Sequence, residues 1–95
     1  MLRITLRLPE AASLKDKRQV VRSVAQRIRN KFQASVAEVA DNDAWQVATI
    51  GVAVVSNSGR HCDEVLREIV SFVETSRLDA EIIDVYDDVI TLDEA

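Results

Sequence analysis

The sequence predicts an α+β fold in which two helices cover one face of a four-stranded antiparallel sheet. Residues 2–8 alternate apolar and polar side chains, which is typical of a half-buried strand. Two later segments, 14–32 and 58–76, repeat apolar residues at intervals of three and four, which indicates amphipathic helices. Residues 50–55 are apolar at nearly every position, as expected for a strand covered on both faces or nearly so.

The first strand and the first helix have clear stop and start signals. Pro9 has no backbone N–H to donate to a sheet, so the strand ends there. Ser13 followed by Asp16 resembles a capping box, in which side chains accept hydrogen bonds from backbone N–H groups at a helix N-terminus. The apolar stripe of the helix over residues 14–32 consists of Val21, Val24, Ala25, Ile28 and Phe32.

The remaining elements follow in the order strand, strand, helix, strand. Residues 34–40 predict the second strand, and the Asp41-Asn42-Asp43 cluster predicts a turn, because Asn and Asp hydrogen-bond to their own backbone. The third strand, the second helix and the fourth strand are expected over residues 45–55, 58–76 and 80–86. Residues 89–92 extend or follow the fourth strand.

The order β-α-β-β-α-β defines a ferredoxin-like sandwich, with the first and third strands in the centre if the crossovers are right-handed. Two helices cover only one sheet face, so the other face is open. A second copy of the chain is the simplest cover for the apolar third strand. Alternatively, the small side chains Ala48, Gly51 and Ala53 leave only a modest apolar patch that needs no cover.

Length and composition exclude several classes of protein. The 95 residues favour a single domain over residues 1–95. One cysteine, Cys62, excludes an internal disulfide and a multi-cysteine metal cluster within one chain. No apolar run reaches the length of a membrane span and no signal-peptide core is evident, so we expect a cytoplasmic protein that does not bind membranes. We expect no cofactor and no metal.

The net charge of −4 conceals a polarised chain. Residues 1–31 carry a net charge of +7 and residues 32–95 a net charge of −11. Such asymmetry indicates a polyanionic partner or self-complementary association. The acidic isoelectric point of about 4.9 argues against a protein that coats nucleic acid, and we expect no DNA specificity.

A basic stripe on the first helix is the sharpest candidate site. Its four members lie on one helical flank within about 60° of each other: they are Lys15, Arg18, Arg22 and Arg29. A second flank carries Lys17, Arg27 and Lys31. Two interpretations of the stripe are open. In the first it contacts RNA phosphates, and in the second it is a solvated face neutralised by the acidic second helix. Arg3 and Arg7 on the sheet could add to an RNA contact, but the aromatic side chains that stack on bases are missing there.

Other polar residues suggest no catalytic site. Cys62 fits the apolar stripe of the second helix and His61 is expected at the surface; neither has further ligands or a base at a suitable spacing. The aspartates of the turns match no calcium loop: Asp41, Asp43, Asp87 and Asp88. Trp45 is expected to pack over the end of the sheet, with a partner contact as the alternative.

Several segments together resemble the YlxP family of small bacterial proteins. They are Ser13-Leu14-Lys15-Asp16-Lys17-Arg18, Ser35–Val39, Asp43–Ala48 and Ile50–Asn57, and the likeness covers nearly the whole chain. Asp16 stands where family members usually have Glu. The resemblance implies a ferredoxin-like fold and, because the family's genes often lie beside those of translation-initiation and ribosome-maturation factors, a role linked to translation. It supplies no catalytic residues. The positions that it marks as a shared surface are Ser13, Lys15, Lys17, Arg18, Glu38, Asp43, Trp45 and Gln46.

Two functions are consistent with these observations. The first is a non-enzymatic binding module that contacts ribosomal RNA or a ribosome-associated protein, with its partner-binding residues among Lys15, Lys17, Arg18, Arg22, Arg29, Arg3, Arg7 and Trp45. The second is a structural or regulatory homodimer that associates through the open sheet face. An enzyme would need a buried polar pocket that the sequence does not indicate.

Overall fold

The computed structural model describes residues 1–41, 43–76 and 80–88, and it confirms the predicted order of elements. Residues 89–92, predicted to extend or follow the last strand, lie outside the described residues, as does Asn42 of the predicted turn. The elements are β1 (Leu2–Arg7), α1 (Leu14–Lys31), β2 (Ser35–Ala40), β3 (Val47–Ala53), α2 (Gly59–Thr75) and β4 (Glu81–Asp87). Each begins and ends within two residues of its predicted bounds.

The four strands form one antiparallel sheet in the order β2-β3-β1-β4. The two central strands are β1 and β3, as right-handed crossovers require, and the architecture is ferredoxin-like. Along β1, alternate residues face the helices: Leu2 lies opposite Val52, and Ile4 lies opposite Ile50. All four side chains are buried, which explains why the sequence alternates along β1.

Both helices bury their apolar stripes against this face of the sheet. Val24 and Ile28 of α1 and Ile69 of α2 are fully enclosed. At the C-terminal ends of the helices, Phe32 and Phe72 make an edge-to-face contact with ring centroids 5.7 Å apart. None of the described helices combines the length and the apolar character that crossing a bilayer requires.

The predicted capping box at the start of α1 is present. The Ser13 hydroxyl accepts a hydrogen bond from the Asp16 N–H at 3.1 Å, and the Asp16 carboxylate accepts one from the Ala12 N–H at 3.0 Å. Asp16 therefore reaches one residue further back than the glutamate of a standard box does. Two of the unpaired N–H groups around the helix start are satisfied in this way.

The sheet face turned away from the helices has no cover among the described residues. At its centre, β3 contributes a glycine: Gly51 lies opposite Arg3, and a Cβ built on Gly51 would come within 2.9 Å of a Val39 methyl group. Val39 therefore lies across the glycine and shields it from solvent. Met1, Val39 and Tyr86 remain exposed on this face, so it carries a modest apolar patch.

Candidate functional site

The outer side of α1 presents the predicted basic stripe. Lys15, Arg18, Arg22 and Arg29 are all exposed, and we call these four residues the α1 ridge. From Lys15 to Arg29 the ridge extends for about 21 Å along the helix axis. Like charges at this spacing repel each other by only a few tenths of a kcal/mol per pair, so the ridge is tolerated without any ligand.

Direct ion pairs do not neutralise the ridge within the part of the chain that the structure describes. The four ion pairs found there are Arg7–Glu81, Lys17–Glu38, Arg60–Glu64 and Arg67–Asp63. Both ion pairs on α2 join two residues of α2, so neither of these pairs involves a residue of α1. Arg29 is engaged differently, since its guanidinium donates a hydrogen bond to the Val36 carbonyl at 2.5 Å.

Lys17 does not belong to an exposed surface, so the expectation that it is one of the partner-binding residues is wrong. Its side chain is only 1% exposed. The ammonium group lies 2.8 Å from a Glu38 carboxylate oxygen and donates hydrogen bonds to the Asp41 carbonyl and, at 2.7 Å, to the Ala44 carbonyl. Two hydrogen bonds to carbonyls and one ion pair with a carboxylate surround the ammonium group, which explains why its burial is tolerated.

We call Lys17, Glu38 and the two carbonyls of Asp41 and Ala44 the Lys17 cluster. It joins the first turns of α1 to β2 and to the β2–β3 connection. Asp41 adopts a left-handed backbone conformation with φ of 62°, which Asp tolerates better than most residues do. The Asp41 carboxylate also accepts a hydrogen bond from Thr49 at 2.7 Å, so the connection is held from both sides.

The spacing of residues along α1 could have predicted that Lys17 is buried. Lys17 precedes Val24 by seven residues and Ile28 by eleven, and both intervals return to nearly the same side of a helix. Lys17 therefore lies in the middle of the buried stripe, where a charge requires a partner. Glu38, which alternates with Val36 on the buried face of β2, is the complementary signal.

Arg3 and Arg7 do not join the ridge. They lie on the open face of the sheet, whereas α1 packs on the opposite face, so one flat partner cannot contact both sets. Arg7 also pairs with Glu81 across β1 and β4 at 2.8 Å. The expectation that these two arginines add to the basic stripe is therefore wrong, because alternation along β1 directs them away from the helices.

Trp45 is 54% exposed, so it does not pack over the end of the sheet as expected. Its neighbours in the chain are held instead: the Ala44 carbonyl binds Lys17, and the Gln46 side chain donates to the Pro9 and Ala11 carbonyls at 3.4 Å each. These contacts fix the backbone on both sides of Trp45 close to the start of α1. The indole remains available for a partner.

The remaining polar residues form no recognisable catalytic centre in the described ranges. His61 is exposed as predicted. Cys62 is half-buried rather than enclosed, with its thiol 3.7 Å from the Val54 carbonyl. Two clefts of about 320 Å³ each lie beside Lys31 and Phe32 at the C-terminal end of α1, and Lys31 packs over the Phe72 ring. Among residues 1–41, 43–76 and 80–88, no group of three His, Cys, Asp or Glu side chains is placed to hold a metal ion.

With this geometry established, comparison with known proteins defines the class. Residues 1–87 match the family described as "Protein of unknown function (DUF503)", and the chain belongs to that family. It is similar to the "Uncharacterized protein YlxP" of Bacillus subtilis (strain 168), with 35% identity over 66 residues. The match covers 70% of this chain and 72% of the relative. The resemblance to YlxP-like proteins seen in the sequence is thereby confirmed.

The positions that the resemblance marked as a shared surface separate into two groups in the structure. Four of them make internal contacts: Ser13 caps α1, Lys17 and Glu38 join α1 to β2, and Gln46 binds the segment before α1. The other four are exposed: Lys15, Arg18, Asp43 and Trp45. The first group therefore stabilises the fold around the start of α1. The second group comprises the shared positions that a partner can contact.

Proposed function

We propose that this protein is a cytoplasmic, non-enzymatic binding module that contacts the phosphates of ribosomal RNA through the α1 ridge. The observation that carries the proposal is the set of exposed cations Lys15, Arg18 and Arg22, which have no carboxylate partner among the described residues. Cations in this state attract phosphates and release the counterions bound to them. Trp45, held near the same end of α1, offers one aromatic surface for a base.

The choice of ribosomal RNA among polyanions is supported by the likeness to YlxP-like proteins, whose genes often lie beside those of translation factors. Readout of base sequence is not part of the proposal, because the open sheet face lacks the aromatic pairs that stack on RNA bases. Phosphate contacts fix position without reading sequence. The proposed role is therefore docking on a ribosomal subunit.

Charge reversal on the ridge tests this proposal. The double variant Arg18→Glu with Arg22→Glu is expected to lose binding to purified ribosomal subunits in sedimentation at low salt. The wild-type affinity should fall as salt rises, and neutralising Arg18 or Arg22 singly should flatten the slope of log affinity against log salt by about one for each phosphate contact removed. Stability should stay nearly unchanged, because both residues are exposed.

Arg60→Glu with Arg67→Glu is the matched control, since it makes the same change in net charge on α2. This control should bind nearly as well as wild type. Equal loss in both double variants, or failure of the wild type to bind subunits at low salt, would contradict the proposal. Binding that persists after the RNA is digested would assign the ridge to a ribosome-associated protein instead.

A homodimer formed through the open sheet face is the second candidate. The exposed apolar side chains Met1, Val39 and Tyr86 favour it. If it forms, the mass measured by light scattering will rise from that of one chain to that of two chains as the protein concentration increases. Val39→Asp will return the mass to that of one chain. A mass that stays at one chain at all concentrations would exclude this candidate.

A further inference from the structure

The outer edge of β4 carries backbone groups that have no partner within the described chain. Met1 and Asp88 exchange backbone hydrogen bonds. Because hydrogen-bonded pairs alternate along an antiparallel ladder, the pair Arg3–Tyr86 is also hydrogen-bonded. The N–H and C=O groups of Val85 and Asp87 therefore point away from β1, and β4 is the outermost strand on this side.

The opposite edge of the sheet is partly engaged by a side chain of α1. The bond from the Leu8 N–H to the Gln46 carbonyl sets the alternation along β3, and the outward-facing residues of β2 are then Val36 and Glu38. The Val36 carbonyl accepts a hydrogen bond from Arg29 of α1. A charged side chain placed in this way blocks an edge against further strands. Within the described ranges, one outward group of β2 is therefore engaged by α1, whereas the outward groups of Val85 and Asp87 on β4 have no partner.

The side chains of β4 select the kind of strand that can pair there. Ile83, Val85 and Tyr86 are exposed apolar residues. The same segment carries three carboxylates whose ion pairs do not appear among the described residues: Asp84, Asp87 and Asp88. A second copy of β4 would place a further set of carboxylates beside the first, and like charges on facing strands repel each other. A strand carrying lysine or arginine is complementary to this edge.

We propose that residues Asp84–Asp88, which we call the β4 edge, bind an extended cationic segment of a partner protein by β-strand addition. The free groups of Val85 and Asp87 supply the backbone hydrogen bonds, and the carboxylates pair with cationic side chains of the added strand. The register shift between Thr5 and Leu6 marks an irregularity near Ile83, which limits regular pairing to this C-terminal part of β4. The β4 edge and the α1 ridge lie at opposite ends of the sheet, since α1 packs over β2 and β3 and α2 packs near β4.

Amide chemical shifts provide the first test. The ¹⁵N-labelled chain is titrated with a short capped peptide that alternates lysine with valine. The largest shifts are expected at Val85 and Asp87, with weaker binding as salt rises. A peptide with the same side chains and N-methylated backbone amides cannot donate ladder hydrogen bonds. Its affinity should therefore be lower by a factor of about ten or more. Equal binding of the two peptides would overturn the proposal, because charge alone would then explain it.

Variants of the edge provide the second test. Val85→Pro removes an outward N–H and should lower affinity for the lysine–valine peptide about tenfold; proline is tolerated on an edge strand at such a position. Asp84→Asn with Asp88→Asn should weaken binding several-fold, whereas Glu68→Gln with Glu74→Gln on α2, which changes net charge equally, should not.

Arg18→Glu with Arg22→Glu should leave peptide binding intact, so this proposal and the RNA proposal can fail separately. A dimer that Val85→Pro dissociates would identify a second copy as the occupant and overturn the proposal.

Discussion

Replacing Lys17 by methionine is expected to lower the free energy of unfolding by about 3 kcal/mol or more. Methionine fills a similar volume but removes the charge that faces Glu38 and the donors that bind the Asp41 and Ala44 carbonyls. The Glu38 side chain is only 19% exposed, so its carboxylate would lose its ion-pair partner without regaining full hydration. Urea denaturation monitored by circular dichroism measures the loss.

Lys15→Met is the matched control, because the same chemical change occurs two residues earlier on the exposed side of α1. It should change the free energy of unfolding by no more than about 0.5 kcal/mol. Adding Glu38→Gln to Lys17→Met should restore part of the loss, since the unpaired charge is then gone. Equal effects of Lys15→Met and Lys17→Met would show that the cluster contributes no more than an exposed lysine does.

Replacing Ile50 by alanine is expected to lower the free energy of unfolding by about 2–5 kcal/mol. Ile50 lies on the central strand β3 opposite Ile4, and it is 0% exposed. Truncation removes buried methyl groups and leaves a cavity that the sheet and helices can only partly fill. A domain of this size has a total stability of about 5–15 kcal/mol, so the variant loses a large fraction of it.

Ile83→Ala makes the same change in an exposed position, since Ile83 is 53% exposed on β4. It should cost about 1 kcal/mol or less, because most of the removed surface already faces water. Thermal unfolding of both variants beside the wild type makes the comparison. If both variants lose the same stability, the described packing around Ile50 is incorrect.

The elements and their order could be predicted because they depend on signals within short stretches of sequence. Alternation along β1 identifies its buried face, and Ser13 with Asp16 identifies the start of α1. The antiparallel order with β1 and β3 in the centre then follows from the handedness of crossovers. The ridge residues Lys15, Arg18 and Arg22 were also placed correctly on an exposed side, because helical spacing alone decides which side chains share a face.

Local spacing also indicates where Lys17 and the β1 arginines lie, whereas the exposure of Trp45 does not follow from any local signal. Lys17 shares its charge with the ridge residues, but its spacing from Val24 places it on the buried side of α1. Trp45 is predicted to pack over the end of the sheet, but no element within the described ranges covers it, and it is exposed. Arg3 and Arg7 share a charge with the ridge but lie on the other side of the sheet.

The sequence by itself determined the fold, the exposed cations of α1 and the segregation of charge along the chain, because periodicity and composition are local properties. Only the tertiary structure decided which charges are buried, paired or free. The acceptors that make Lys17 an internal residue come from positions 24 and 27 residues further along the chain. A side chain's surroundings depend on such distant contacts, and these exist only once the sheet and helices have packed together.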